Sequence, residues 1–216
     1  MADEVDDEFA ESSLPDRWKT SLAFTDHMLQ SPGPMPTELR TEVGDSFDDG
    51  ELVELALGLG LFHGFSKMLI ALGLEPDQMD TTVLPTPAPM TGEAPEGGDD
   101  PRAAVLAPRP DLRARWEHMA SLLAGLDGLP PSAMQAIDAR AAALLGAPWA
   151  AQVDADDDLH ALVTELTELF LIDVRAIQPS HIAALRDAAG DRGVVQAVMG
   201  MAVADGIART AVTLGD

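Results

Sequence analysis

"GFSKMLIALG" occupies Gly64–Gly73 and "GIARTAVTLG" occupies Gly206–Gly215, so each decapeptide opens on glycine and closes on Leu-Gly. Each carries a cation at its fourth position, Lys67 in one and Arg209 in the other, and matched residues lie 142 apart. The match runs upstream without a gap. "ELVELALGLGLFHGFSKMLIALG" (Glu51–Gly73) lies on "GVVQAVMGMAVADGIARTAVTLG" (Gly193–Gly215), pairing Gly58 with Gly200 and His63 with Asp205. Neither run alternates as a strand would, and both read as long helices. A glycine inside a helix costs about 1 kcal/mol relative to alanine. The recurrence of Gly58, Gly64, Gly200 and Gly206 therefore implies neighbouring helices in close approach.

Upstream of each run the order of signals is also shared. "PTEL" (Pro36–Leu39) matches "PSHI" (Pro179–Ile182) at an offset of 143, and "SLAFTDHML" and "LVTELTELF" are both amphipathic. Each copy reads as a helix, a short Pro-started helix and a long apolar helix. Caps, prolines and glycines place helices over Asp16–Leu29, Thr37–Val43 and Asp49–Leu72. The same signals place others over Asp111–Leu126, Ser132–Leu145, Asp157–Val174, Ser180–Ala189 and Arg192–Leu214. No segment alternates convincingly, and the expected fold is all-α. Between the two halves, "TTVLPTPAPMTGEAPEGGDDP" (Thr81–Pro101) is too rich in Pro, Gly and acid to hold a helix. It reads as a linker joining residues 1–80 to residues 102–216. The long helix of the first unit needs cover for Leu52, Leu55, Leu59, Phe62, Leu69 and Leu72. The second unit offers Gly200, Ala204 and Ala208, at four-residue spacing, as the surface to provide it.

Composition narrows the chemistry. The chain has 46% hydrophobic residues but only 4% aromatics and no Tyr, which suits helices packed through small side chains. Its formal charge of −24 argues against a nucleic-acid or anionic-membrane partner. There is no cysteine, so disulfides, thiolate metal sites and cysteine nucleophiles are excluded. "MADEVDDEFAESS" at the N-terminus is acidic, unlike a signal peptide. The apolar run Leu52–Leu74 is interrupted by Glu54, His63 and Lys67 and reads as a buried helix, not a membrane span. A cytoplasmic protein is the expectation.

His63 and Lys67 are four residues apart and share a helix face. One reading makes His63 a general base in a helix-lined pocket, with Lys67 holding an anionic substrate. The other makes His63 a buried, hydrogen-bonded core residue. Asp205 and Arg209 have the same spacing and suit an i,i+4 ion pair. His27, His118, His160 and His181 are scattered without metal-ligand spacing. "DADDD" (Asp154–Asp158) lacks the glycine and closing glutamate of a calcium loop, and reads as a helix-capping run. No metal and no cofactor is implied. There is no phosphate loop following a strand and no GxSxG elbow.

The repeated unit resembles the C-terminal half of the carboxymuconolactone decarboxylase / alkylhydroperoxidase D-like superfamily. Its members commonly show an "ALAFADAL"-type helix, then a short helix, then "EIVELxxxxxxFNxFNRLxxALGxEP". Here "SLAFTDHML" and "ELVELALGLGLFHGFSKMLIALGLEP" correspond, with His63 and Ser66 where Asn is usual and Lys67 where Arg is usual. The segment "RPDLRARWEHMASLLAGLDGLPPSAMQAIDARAAALLGAPWAAQVD" (Arg109–Asp154) resembles the family's N-terminal half, where peroxidase members keep a CxxC pair, a relay His and a Glu. Those positions fall on Ala147 and Ala150, on Asp154 and on Gln135. The resemblance implies a helical bundle containing one complete but degenerate domain and one orphan half. It also implies an oligomer, either of like chains or with a related family member. Lacking a low-pKa thiolate, the chain is expected to have no thiol peroxidase activity and to serve as an interaction or scaffold protein. The alternative is a cofactor-independent acid–base enzyme, of decarboxylase or isomerase type, acting on a small carboxylic acid through His63 and Lys67.

Overall fold

A computed structural model describes residues 9–74, 95–151 and 157–215. Among them every regular element is helical: α1 (Asp16–Gln30), α2 (Thr37–Ser46), α3 (Asp49–Ala71), α4 (Pro110–Ala124), α5 (Pro131–Leu145), α6 (Asp158–Ile172) and α7 (Pro179–Leu214). Short 3-10 turns cover Phe9–Glu11, Pro101–Leu106 and Val174–Ala176. The expected all-α class is observed. Most of the expected linker Thr81–Pro101 lies outside the described residues. Within its described end, Gly98 and Asp100 donate backbone N–H bonds to the Glu117 carboxylate on α4.

Local chemistry explains the helix ends. Asp48 caps α3 in a reciprocal box with Glu51, and Asp157 accepts the backbone N–H of His160 at the start of α6. Proline opens α4, α5 and α7, where a missing N–H costs nothing. The two Leu-Gly endings differ in the structure. Gly73 takes φ 85°, letting the Leu74 N–H reach back to the Leu69 carbonyl, whereas Gly215 keeps φ −65°. The two expected C-terminal helices form one element, α7, broken at Gly190 (φ 69°, ψ 178°), a backbone region open only to glycine.

Two helix-start pairs recur at a single spacing. The starts of α1 and α6 (Asp16, Asp158) and of α2 and α7 (Thr37, Pro179) are each 142 residues apart. The one-residue slip expected from the prolines is absent from the backbone. Pro36 sits at the N-cap of α2 and Pro179 one step inside α7, and either position tolerates the ring.

The core is organised around α3 and α7, which cross antiparallel. A Cβ added to Gly60 would lie 2.6 Å from the Gly206 carbonyl oxygen, and one added to Gly64 would lie 2.3 Å from that of Ala202. The backbones therefore touch, as the interior glycines imply. The surface α7 presents to α3 is Ala202 and Gly206, not the expected Gly200–Ala204–Ala208 stripe. Gly200 instead meets Met134 and Ile137 of α5, and Ala208 clusters with Ala142 and Ala147. Val53, Leu57 and Ala71 of α3 join the main core with Trp116, Ile137, Leu166, Phe170 and Met201. A second cluster under α1 and α2 holds Phe24, Met28, Met35, Val43 and Ala56. Among the described residues cover for α3 is incomplete, with α7 packed on one face and the α1–α2 cluster along a flank. Phe62 stays 75% exposed and Leu72 38% exposed, contrary to the expected enclosure. By length and composition α3 and α7 could each span a membrane; 89% of the apolar stretch of α7 is buried within the protein, against 28% for α3.

Candidate functional site

The α3–α7 crossing brings together the four polar residues that the sequence pairs at equal spacing. Asp205, fully buried on α7, is their hub. Its Oδ2 accepts from Lys67 Nζ at 3.1 Å, and its Oδ1 from Arg209 Nε at 2.7 Å. Lys67 reaches beyond the pair to the Leu171 carbonyl at 3.2 Å, at the end of α6, and its Nζ lies 5.8 Å from the Phe170 ring centre. Arg209 reaches the carbonyls of Met28 (3.1 Å) and Leu29 (3.0 Å), at the end of α1. Carbonyls at a helix C-terminus lack intrahelical donors and carry partial negative charge. Each cation thus satisfies a buried carboxylate and closes the end of a second helix. Cutting either tie would leave polar groups unpaired where water is scarce.

His63 sits at the rim of this cluster, its side chain a quarter exposed. Its Nε2 is buried, has no hydrogen-bond partner among the described residues, and stands 3.9 Å from Asp205 Oδ2. Burial lowers its pKa first, and the Lys67 and Arg209 charges push the same way against Asp205, to about 4. The ring is therefore neutral at physiological pH. Burial likewise lowers the pKa of Lys67, against the pull of Asp205. The cluster offers a neutral imidazole beside an ammonium ion-paired to Asp205. The histidine is neither hydrogen-bonded in the core nor enclosed in one of the cavities described next.

One of those cavities, about 490 Å³, opens between α2, the start of α3 and the loop after α5. Its walls include Val43, Phe47, Leu52, Pro148 and Trp149, with Arg40 and Asp49 as charged groups. A second, about 390 Å³, is an apolar groove between α4 and α7 lined by Met119, Leu122, Leu126, Met199 and Val203. Neither is lined by His63 or Lys67.

The positions that the resemblance assigns to a redox site differ in burial. Ala147 is buried after the left-handed Gly146 that ends α5, while Ala150 and Gln135 are exposed. Asp154 lies outside the described residues. Pro148 and Trp149, between the two alanines, wall the cavity beside α2 and α3. His160 is buried against Asp157, His27 bonds the Gly33 carbonyl, and His181 accepts from the Gln178 N–H. Among the described residues no group of three metal-ligating side chains occurs. Sequence reasoning paired Asp205 with Arg209 but missed the bond from Lys67 to Asp205 and the helix-end carbonyls of Met28, Leu29 and Leu171. The shared 142-residue spacing of His63–Lys67 and Asp205–Arg209 was the available signal for the first. No protein family, curated protein or solved structure matches the chain.

Proposed function

We propose that the chain is an internally duplicated, degenerate member of the carboxymuconolactone decarboxylase / alkylhydroperoxidase D-like superfamily that works as an interaction or scaffold protein without thiol peroxidase activity. One observation carries the duplication. Lys67 bonds the Leu171 carbonyl and Arg209 bonds the Leu29 carbonyl. Arg209 is Lys67 displaced by 142 residues, and Leu171 is Leu29 displaced by 142. Each copy therefore gives its cation to the other copy's first helix, the reciprocal exchange that a two-fold relation requires. The glycine contacts repeat the exchange, since Gly60 meets Gly206 and Gly64 meets Ala202. The helix starts support the same spacing.

A scaffold role rests on how the polar cluster is used. Lys67, Asp205 and Arg209 hold one another and two helix ends, an arrangement suited to fixing register between helices and leaving no charge free for a substrate. Ala147 and Ala150 can supply no thiolate. Partners are then proteins, a like chain or a related one, met in the cytoplasm. A second reading, the acid–base enzyme on a small carboxylic acid, draws on the partnerless Nε2 of neutral His63. One set of measurements separates the two. Scaffold function requires no hydroperoxide reduction with thiol or lipoyl donors, and His63→Gln and Lys67→Met changes felt in stability alone. Saturable binding of small carboxylates by the whole chain, lost in both variants, would favour the enzyme. An experimental structure in which residues 16–71 fail to superpose on 158–213 would remove the duplication.

A further inference from the structure

We propose that the outer face of α3 docks on the same face of a second copy of this chain, making the protein an isologous dimer. The inference rests on the duplication reading and names the partner and the surface it uses. On α3 the residues Leu55, Gly58, Leu59, Phe62, Ser66 and Leu69 share the side opposite Gly60 and Gly64, as their i, i+3, i+4 spacing requires. All six are half-buried or exposed. Their counterparts 142 residues on, at positions 197, 200, 201, 204, 208 and 211, are all buried, partly beneath α5. The described residues bury this face throughout in one copy; in the other they leave Gly58 and Phe62 exposed, while Leu55 and Leu59 pack in part against the cluster under α1 and α2.

Two features identify the occupant. Between Leu55 and Leu74 there is no acidic residue, in a chain whose formal charge is −24. A second copy brought to an acidic surface meets like charge, whereas over Leu55–Leu74 it meets no carboxylate. The face is also self-complementary in shape. Gly58 has open space where a Cβ would be, and Phe62 stands one turn further on, 75% exposed. Two such helices placed antiparallel about a two-fold axis seat each Phe62 ring in the other's Gly58 hollow. A helix like α5, shaped to lie on Gly200 and Ala204, would be held off by that ring. Gly58, where an added Cβ would meet nothing among the described residues, acquires a reason to be glycine.

The natural absence of cysteine makes the test clean. Light scattering of the full chain over micromolar to millimolar concentrations should give a dimer, and Phe62→Glu should weaken it at least about thirtyfold, as loss of a central aromatic contact does. Because Phe62 is exposed in the single chain, the variant should keep its helical circular dichroism and, at low concentration, its unfolding midpoint. Independently, a mixture of Gly58→Cys and Phe62→Cys proteins should form mixed disulfide-linked dimers faster than Leu122→Cys protein links to itself at the α4–α7 groove. A wild-type monomer at every concentration overturns the proposal. So does a dimer indifferent to Phe62→Glu, or preferential linkage through Leu122→Cys. Co-flotation of a monomeric chain with neutral phosphatidylcholine vesicles, abolished by Phe62→Glu, would assign the face to lipid and overturn it too. A monomer whose two halves still superpose removes this inference and leaves the duplication standing.

Discussion

Helix α3 is covered by α7 on one face and by α1 and α2 along a flank, and α7 on nearly all sides, although their sequences were written on the same glycine pattern. Enclosure between α3 and α5 holds α7 to small side chains at its contacts: Ala202 and Gly206 toward α3, Gly200 and Ala208 toward α5. With one face free, α3 carries Phe62 where α7 carries Ala204. Apolar content therefore signals a need for cover without saying which element provides it. Side-chain size along each face records how closely a neighbour approaches.

The comparison predicts the largest effect at the helix crossing. Gly64→Val places a Cβ against the Ala202 backbone, which no rotamer change can relieve. A loss of more than about 4 kcal/mol is expected, whereas Gly58→Val, with open space before it, should lose far less. Equal urea midpoints for the two variants would show that the inner and outer faces of α3 do not differ as described. Next comes the hub. Asp205→Ala leaves Lys67 and Arg209 as buried cations without their carboxylate and should cost about 3–5 kcal/mol. Lys67→Met should cost less, because Asp205 keeps Arg209. Denaturant curves that rank Lys67→Met as the costlier change would mean that Asp205 is not the hub.

A smaller effect concerns acid. His63 titrates near 4 in the folded chain against 6.5 ordinarily, so between those values the unfolded chain takes up the proton first. Stability should then fall as pH drops from 6.5 to 4, by on the order of 2 kcal/mol from this group. Subtracting the pH profile of His63→Gln isolates the slope, since the carboxylates are common to both; identical profiles would place His63 in water. The smallest effects test the outer faces as a pair. Gly58→Ala should gain about 0.5–1 kcal/mol from helix propensity alone, measured below any association. Gly200→Ala must displace the Met134 methyl, only 2.8 Å from the new Cβ, and should gain nothing or lose up to about 1 kcal/mol. Thermal melts that reverse this order would contradict the assignment of covered and bare faces.

Much of this was legible in residues that act locally. Prolines and Asp157 marked helix starts to within a residue or two, because capping is decided by a few neighbouring groups. The interior glycines announced a close crossing, and Asp205–Arg209 announced an ion pair. The break at Gly190 was legible as a boundary but not as a kink within one element. The facing of the Gly200 stripe was read wrongly, since a row of small residues fits α3 or α5 equally well. Nor could spacing reveal that Lys67 ends on the Leu171 carbonyl, or that His63 finds no partner. Both depend on elements 104 or more residues away and on how deeply the crossing is seated.

The order in which the helices are synthesised gives α7 a further consequence. Every described helix that packs on it is made before it, and the bonds that tie the polar hub to α1 and α6 join residues 104 to 181 apart. During translation the Gly60–Gly64 stripe of α3 and the Met134 face of α5 emerge with nothing to pack against. Closure of such distant contacts is slow, and apolar surface exposed in the interim is a binding site for chaperones and for neighbouring nascent chains. A ribosome stalled with Val194–Leu214 still inside its exit tunnel should therefore hold a nascent chain that proteases cut readily within α3, with protection arriving only when those residues emerge.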